Sequence, residues 1–362
     1  MKILVIHTSA GAGHTKAAQA LADGIKFTTP YDIVCVDALD YTSSLHRKLY
    51  RGLYVFLVTK LPWAWEIFFG LTDVPLLRLL VRCIRRIFNA INFHSLEQFI
   101  KEENFDYILS THFLGTEIAG YLKRSKKITS KVVTVITDFD VHSIWLARGV
   151  DYYAVACDYT KEKLLSLRIP EAKIKVTGIP THSKFRTVHN RKELQWRLGL
   201  KENVFTVLIA TGSFGTGPIK KIMESLEDYQ ILVVCGNNKK LFNELTHVTM
   251  GMVRVYGLVD NMHELMAVAD TMITKPGGLS IAEALVNGLP LIFFNAIPGQ
   301  ETQNIKVLQK YGVGISDCSI IEISQKLKEI STSQEQLHLA QLKSKALARP
   351  QAVGEIIKLI QN

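Results

Sequence analysis

At 362 residues the chain is long enough for two domains with cores of their own, and its 48% hydrophobic and 21% charged residues are those of a globular protein. A net charge of +10 points to an anionic partner: nucleic acid, an anionic membrane or a phosphorylated substrate. Five cysteines, at 35, 83, 157, 235 and 318, form no CxxC pair, which excludes a disulfide framework and a zinc site and fits a reducing cytosol. The apolar run after Met1-Lys2 is too short for a signal-peptide core, and no uninterrupted apolar run is long enough to span a bilayer.

The chain opens with a strand (Lys2 to His7), a glycine turn (Thr8 to Thr15), a helix (Lys16 to Lys26) and a strand (Ile33 to Val36). That order is a βαβ unit and predicts a parallel sheet. Gly11 and Gly13 resemble the start of a dinucleotide fingerprint, but Ala17 stands only loosely where the third glycine belongs, so the motif is weak. His14 follows these glycines. A lone histidine there is more often a structural hydrogen-bonder. Its place at a strand's carboxyl edge favours function, and an unperturbed pKa near neutrality suits removal of a hydroxyl proton.

Residues 41–93 leave the α/β rhythm. They carry Trp63, Trp65, Phe68 and Phe69, then a helical run from Leu76 to Phe88. At about 100° per residue, Arg78, Arg82, Arg85 and Arg86 fall on about one third of the circumference, and aliphatic residues fill the other side. This is the pattern of an interfacial membrane helix with its arginines on anionic lipid. A surface helix packed on its own domain is similarly amphipathic; the aromatic stretch favours the membrane.

Asp106 to Ser110 and Lys131 to Thr137 are further strands. The second ends in Asp138-Phe139-Asp140. A DxD triplet can hold a metal–nucleotide complex, but in an all-parallel sheet it is expected to be a decoy, with Asp138 orienting the glycine loop or a substrate. His142 and Trp145 follow on a loop or short helix. Strands at Tyr152 to Ala156 and from Ile174 lead to the hinge Gly178-Ile-Pro180, the predicted domain boundary.

Beyond the hinge, the strand Phe205 to Ala210 enters a second glycine loop, Thr211 to Pro218, where Gly212 and Ser213 offer donors to a phosphate. Strands Gln230 to Cys235 and Val253 to Tyr256 precede the loop that holds Val259. Thr271 to Thr274 is a short buried strand, broken by Pro276-Gly277-Gly278. The helix Ser280 to Val286 then offers free N–H groups and a positive dipole end to a diphosphate. Glu283 on that helix can accept two hydrogen bonds from a ribose diol. Leu289 to Phe294 delivers Gln300, Glu301 and Asn304 to the carboxyl edge of the sheet, where α/β proteins bind ligands. A plain strand–helix–strand unit has the same spacing; the polar groups gathered after apolar runs argue for a site. The expected architecture is α/β: two Rossmann-like parallel-sheet domains, 1–178 and 179–345, facing a central cleft. A helical tail, 346–362, can pack back on the first.

Taken together, Gly11-Ala-Gly-His14, Thr137-Asp138 with His142 and Trp145, Cys157 to Leu164, Thr177-Gly-Ile-Pro180, Thr274-Lys-Pro-Gly-Gly278 and Pro298-Gly-Gln-Glu301 resemble the family 28 glycosyltransferases of the GT-B fold. The resemblance covers nearly the whole chain and is to the diacylglycerol branch: the processive glucosyltransferases of Gram-positive bacteria and the plant monogalactosyldiacylglycerol synthases. Ala12 and the loop Thr211-Gly-Ser-Phe-Gly215 fall where relatives vary, so that loop leaves the donor undecided.

The resemblance implies an inverting transfer of a hexose, glucose favoured, from a UDP-sugar to the hydroxyl of diacylglycerol. Backbone around Val259 would meet the uracil, Glu283 the ribose, and Gly277, Gly278 and Leu279 the diphosphate. Gln300 and Glu301 would bind sugar hydroxyls, with Asn304 beside them. The first domain would take the lipid, with His14 as base, Asp138 as a second catalytic group, and Gly11, Gly13, His142 and Trp145 around the acceptor. Trp63, Trp65 and the four arginines would meet the membrane. It implies UDP-glucose or UDP-galactose and diacylglycerol as partners, with anionic lipids, and no metal, cofactor or nucleic acid. It places the protein in the cytoplasm, peripheral on the inner face of the plasma membrane. The alternatives are a UDP-galactose-dependent enzyme, a lipid II-type N-acetylglucosaminyltransferase, a sugar epimerase on the same fold, and a basic protein that only binds membrane or nucleic acid.

Overall fold

Short aliphatic runs alternating with helices build two all-parallel sheets, seen in a computed structural model. It describes residues 1–9, 11–74, 76–248, 252–316 and 318–361, with backbone only at Tyr54, Thr59, Arg78 and Leu79. The side chain of Arg78, one of the predicted membrane contacts, thus lies outside what is described. The chain divides into unit 1 (Met1–His182, Ile297–Gln303, Arg349–Asn362) and unit 2 (Ser183–Ala296, Asn304–Ala348).

Unit 1 opens with β1 (Lys2–His7), α1 (Ala12–Thr28) and β2 (Asp32–Asp37). Four helices follow in a row: α2 (Ser44–Lys60), α3 (Pro62–Asp73), α4 (Arg78–Asn92) and α5 (His94–Glu102). Then come β3 (Tyr107–Ser110), α6 (Phe113–Arg124), β4 (Lys131–Val135), β5 (Tyr152–Val155), α7 (Asp158–Ser166) and β6 (Ile174–Val176). The strand order is β2-β1-β3-β4-β5-β6. Period-2 alternation sends Leu4 and Ile6 of β1 into one core and Ile3 and Val5 into the other, as a sheet covered on both faces requires.

Unit 2 runs α8 (Arg191–Arg197), β7 (Thr206–Ala210), α9 (Ile219–Glu224), β8 (Gln230–Val234), α10 (Lys239–Thr246), β9 (Val253–Tyr256) and α11 (Met262–Val268). It continues with β10 (Thr271–Thr274), α12 (Gly278–Val286), β11 (Leu291–Phe293), α13 (Gln300–Lys310), α14 (Ile320–Thr332) and α15 (Gln334–Leu347). Its strand order is β11-β10-β7-β8-β9. The last helix, α16 (Ala352–Gln361), belongs to unit 1, where Val353, Ile356, Ile357 and Ile360 share a core with Ala18, Leu21 and Ile25 of α1. A Cβ at Gly24 would lie 2.3 Å from Val353 Cγ1, so glycine sets how closely the two helices pack.

The amphipathic helix α4 lies the opposite way round from the membrane reading. Arg85 pairs with Glu117 at 2.7 Å and Arg86 with Glu97 at 2.6 Å, while Asn89 is buried and donates to Glu117 at 3.0 Å. The aliphatic stripe faces solvent instead: Leu80, Ile84, Ile87 and Ile91 are 57–73% exposed. Arg85 and Arg86 therefore fasten the helix to unit 1 rather than reaching for lipid. Periodicity established which residues share a face, but a carboxylate on α6 and another on α5 decided which face turned inward. Helices α2 and α3 expose apolar side chains as well, Leu49 and Leu53 on one, Trp63, Ile67 and Phe68 on the other. Trp65 instead stacks on Phe69, with ring centroids 5.7 Å apart. Among the described residues no single helix is long and apolar enough to cross a membrane. The pair Ser44–Val58 and Pro62–Asp73 would reach that length only together, bent by 107°.

Candidate functional site

In an open parallel sheet, ligands bind beyond the carboxyl ends of the two strands where the winding direction reverses. In unit 1 these are β1 and β3, in unit 2 β7 and β10. The segments after β1, β7 and β10 hold Gly11, Gly13, His14, Gly212, Ser213, Gly277, Gly278, Leu279 and Glu283. At each point a threonine hydroxyl is buried without a hydrogen-bond partner among the described residues, Thr8 in unit 1 and Thr211 in unit 2. Such a group costs about 1–3 kcal/mol, which a ligand's polar atom would relieve.

His14 stands in the first turn of α1, directly above the end of β3. Its Nδ1 is 2.9 Å from the backbone oxygen of Thr111 and 2.8 Å from Thr137 Oγ1. A carbonyl can only accept, so Nδ1 carries the proton and Nε2 the lone pair. Thr111 Oγ1 donates to the His14 backbone oxygen at 2.9 Å, tying ring and helix to the same residue. Burial is the largest influence on the imidazole and holds its pKa at about 4, opposed by the Thr111 hydrogen bond and assisted by the nearby His7. The ring is therefore neutral at pH 7. This differs from the unperturbed value expected from sequence, because the loop folds down among His112 and Trp145, with centroids 4.8 and 6.1 Å away.

Sequence reasoning missed Thr111 and His112. The signal was there in the polar triplet Ser110-Thr111-His112 directly after an apolar strand. His112 caps α6 by accepting from Leu114 N at 3.2 Å, and burial pushes its pKa well below the usual range. Trp145 is a buried wall of the same core. His142 spends both ring nitrogens on positioning: Nδ1 accepts from Ile144 N at 3.1 Å, and Nε2 donates to Phe69 O at 3.0 Å. It thereby ties α3 to the loop after β4.

The two carboxylates of Asp138-Phe139-Asp140 diverge. Asp140 takes Lys163 Nζ at 2.7 Å, and Asp138, 7% exposed, accepts Gln300 Nε2 at 3.0 and 3.2 Å. Gln300 and Glu301 were assigned from sequence to the second domain; the structure counts both in unit 1. Glu301 accepts from Ile297 N at 2.7 Å, closing the turn before α13. Gly299, at φ +85, packs so that a Cβ would lie 2.9 Å from the Phe69 ring.

In unit 2 the register pairs Thr274 with Ala210, so the two glycine loops leave adjacent strands side by side. Gly212 has φ +73 and open space where a Cβ would be, whereas a Cβ at Gly215 would lie 2.0 Å from Cys235 O. Gly215 is thus a packing glycine and Gly212 faces open space, beside half-buried Ser213. Helix α12 has no side-chain cap. Gly277 N donates to Lys275 O at 2.9 Å, and Ile281 N closes the first turn on Gly277 O. The N–H groups of Gly278, Leu279 and Ser280 are left for an anion, so Gly277 contributes its carbonyl and its ordinary φ of −74° rather than a donor. Leu279 contributes backbone only, its side chain being buried. Glu283 is 8% exposed and lies in the second turn. Asn304, fully buried, donates to Pro276 O at 3.0 Å and so props the turn before α12. Val259 is half-buried in the loop after β9.

Residues 14–181 match the family described as Monogalactosyldiacylglycerol (MGDG) synthase, and residues 206–355 the Glycosyltransferase family 28 C-terminal domain. The chain is 28% identical to a processive diacylglycerol beta-glucosyltransferase of Bacillus cereus, over 99% of this chain and 93% of that one. It is 33% identical to the enzyme of the same name from Bacillus licheniformis over 262 residues, 68% of each chain. In fold it is similar to the crystal structure of MurG from Acinetobacter baumannii, with a TM-score of 0.63 at 16% identity over 99% of both chains.

Proposed function

The chain belongs to the family of the processive diacylglycerol beta-glucosyltransferases, and from that premise we propose the reaction it carries out. It is a GT-B glycosyltransferase that moves a hexose, glucose, from a UDP-sugar to the hydroxyl of diacylglycerol with inversion. The observation that carries the site reading is the fixed tautomer of His14. Nε2 is a proton acceptor, at the switch point of unit 1, in an imidazole kept neutral. It takes the proton of the acceptor hydroxyl as that oxygen attacks the anomeric carbon, and the C–O bond to UDP breaks on the opposite face. As the hydroxyl becomes an ether oxygen its proton acidity rises steeply, so a weakly basic imidazole suffices late in the step.

In unit 2 the N–H groups of Gly278 and Leu279, with the dipole of α12, stabilise the departing diphosphate, and Glu283 binds the ribose diol. Gly212, Ser213 and the backbone at Val259 complete the nucleotide site. This arrangement calls for no metal. Asp138 and Gln300 act as a pair at the sugar; Glu301 holds the turn before α13, and Asn304 the turn before α12. The exposed aliphatic stripes of α2, α3 and α4 seat unit 1 on a membrane, where the acceptor resides, so the protein is peripheral on the inner leaflet. A panel of UDP-sugars with diacylglycerol vesicles, read by lipid chromatography, tests this. Product from UDP-glucose supports it, product from UDP-galactose alone moves it to the galactosyl alternative, and transfer only to soluble acceptors refutes it.

A further inference from the structure

The run Cys157 to Leu164 holds no group of the proposed reaction, yet three of its side chains grip the loop that carries Asp138. Cys157, Thr160 and Lys163 are spaced three apart at the start of α7, so they share one side of it. Thr160, fully buried, donates from Oγ1 to Phe139 O at 2.6 Å. That spends its proton, so the thiol of buried Cys157, 3.3 Å away, is the donor to Thr160 Oγ1. One turn on, Lys163 Nζ lies 2.7 Å from both carboxylate oxygens of Asp140, whose side chain is 11% exposed. The two residues directly after Asp138 are thus fixed to one helix, the first by its backbone and the second by its charge. All of these groups belong to unit 1.

Asp138 in turn meets Gln300 Nε2 at 3.0 and 3.2 Å. A carboxylate only accepts, so the amide presents its NH2 group to Asp138. Gln300 Oε1 has no partner among the described residues and remains an acceptor for a hydroxyl hydrogen. We propose that Thr160 and Lys163 are positioning residues for the sugar transfer. Through Phe139 O and the Asp140 carboxylate they hold Asp138 on Gln300, and Asp138 turns the Gln300 amide so that its oxygen accepts a sugar hydroxyl. Asp138 is then a positioning residue as well, and Asp140 is the anchor of its loop. The proposal rests on the reading that Asp138 and Gln300 meet the sugar.

The test is steady-state kinetics of the full chain with UDP-glucose and diacylglycerol vesicles, with UDP as inhibitor. Thr160→Val removes the hydroxyl at nearly constant shape, and Lys163→Met removes the charge from an unbranched side chain. Each is expected to lower kcat/KM for UDP-glucose about tenfold, since a misplacement of about 1 Å can cost up to about 100-fold. The inhibition constant of UDP, which carries no sugar, is expected to stay at the wild-type value. Thr160→Ser and Lys163→Arg, which keep the donors, are expected to keep wild-type rates. In a Gln300→Ala background Thr160→Val and Lys163→Met are expected to cost nothing further, because groups acting through one contact are not additive. The same loss in both backgrounds, a matching rise in the inhibition constant of UDP, or no loss at all overturns the positioning role. Wild-type kcat/KM in Gln300→Ala alone takes Gln300 away from the sugar, and with it the reading on which the proposal rests.

Discussion

Units 1 and 2 each place a threonine, a glycine loop and the start of a helix beyond the carboxyl ends of the two strands at a switch point, yet they equip that place differently. Unit 1 fills it with imidazole: His14 in a single tautomer, with His112 against its edge. Unit 2 leaves it bare, with uncapped N–H groups on α12 and a buried carboxylate one turn further on. In the proposed reaction one junction accepts a proton and the other holds a departing anion. The same backbone motif therefore does not reveal a role; the side chain in the first helical turn does. Unit 1 alone also carries the helical insertion of α2 to α4, which turns apolar stripes outward.

The sharpest way to break this comparison is to remove the base. His14→Ala should lower turnover about 10²–10⁴-fold, the usual range for losing general-base help, while leaving UDP affinity as it was. Calorimetry alongside initial rates checks both halves. Near-normal turnover would take His14 out of the mechanism.

The membrane face comes next. Burying an aliphatic side chain is worth about 1.5–3 kcal/mol, so Ile84→Gln with Ile87→Gln should weaken flotation with neutral vesicles more than tenfold. Arg85→Gln and Arg86→Gln should instead appear as lost stability. Each strands a partly buried carboxylate, Glu117 at 12% and Glu97 at 7% side-chain exposure. If the arginine variants lose vesicle affinity at unchanged thermal stability, α4 is the other way round.

At the anion end, Glu283→Ala should weaken UDP binding by about 1.5–3 kcal/mol through lost charge-assisted hydrogen bonds. Unchanged affinity in a folded variant would refute the ribose assignment.

A smaller effect concerns acid. The His14 imidazole takes a proton near pH 6.5 when unfolded but only at about pH 4 when folded. Between those values the unfolded state binds more protons, so stability should fall as pH drops from 6.5 toward 4. Burial lowers His7, His112 and His142 in the same direction. Urea unfolding at pH 7 and pH 5 should show wild type losing more than His14→Gln; identical losses would place the ring in water. Smallest of all, dialysis against EDTA should leave turnover unchanged, since the proposed displacement calls on no metal.

The fold was written in the sequence by short aliphatic strands bounded by glycine, and both glycine loops could be placed before their neighbours were known. Long-range partners could not. The tautomer of His14 depends on Thr111, 97 residues away, and the engagement of Asp138 on Gln300, 162 residues away. Gly277 read as a phosphate donor because glycine permits close approach, but its N–H is taken by Lys275 O two residues back. The helix α4 shows the limit most plainly. A hydrophobic pattern specifies two faces, and only the carboxylates of Glu97 and Glu117 specify which one meets the protein.

The stereochemistry of the glycolipid tests the inverting displacement most directly. With UDP-α-glucose and diacylglycerol vesicles, proton NMR of the purified product should show a β-linked glucosyl group, formed by wild type and lost in His14→Ala. An α-linked product, or free glucose in place of glycolipid, would contradict a single inverting displacement with His14 as its base.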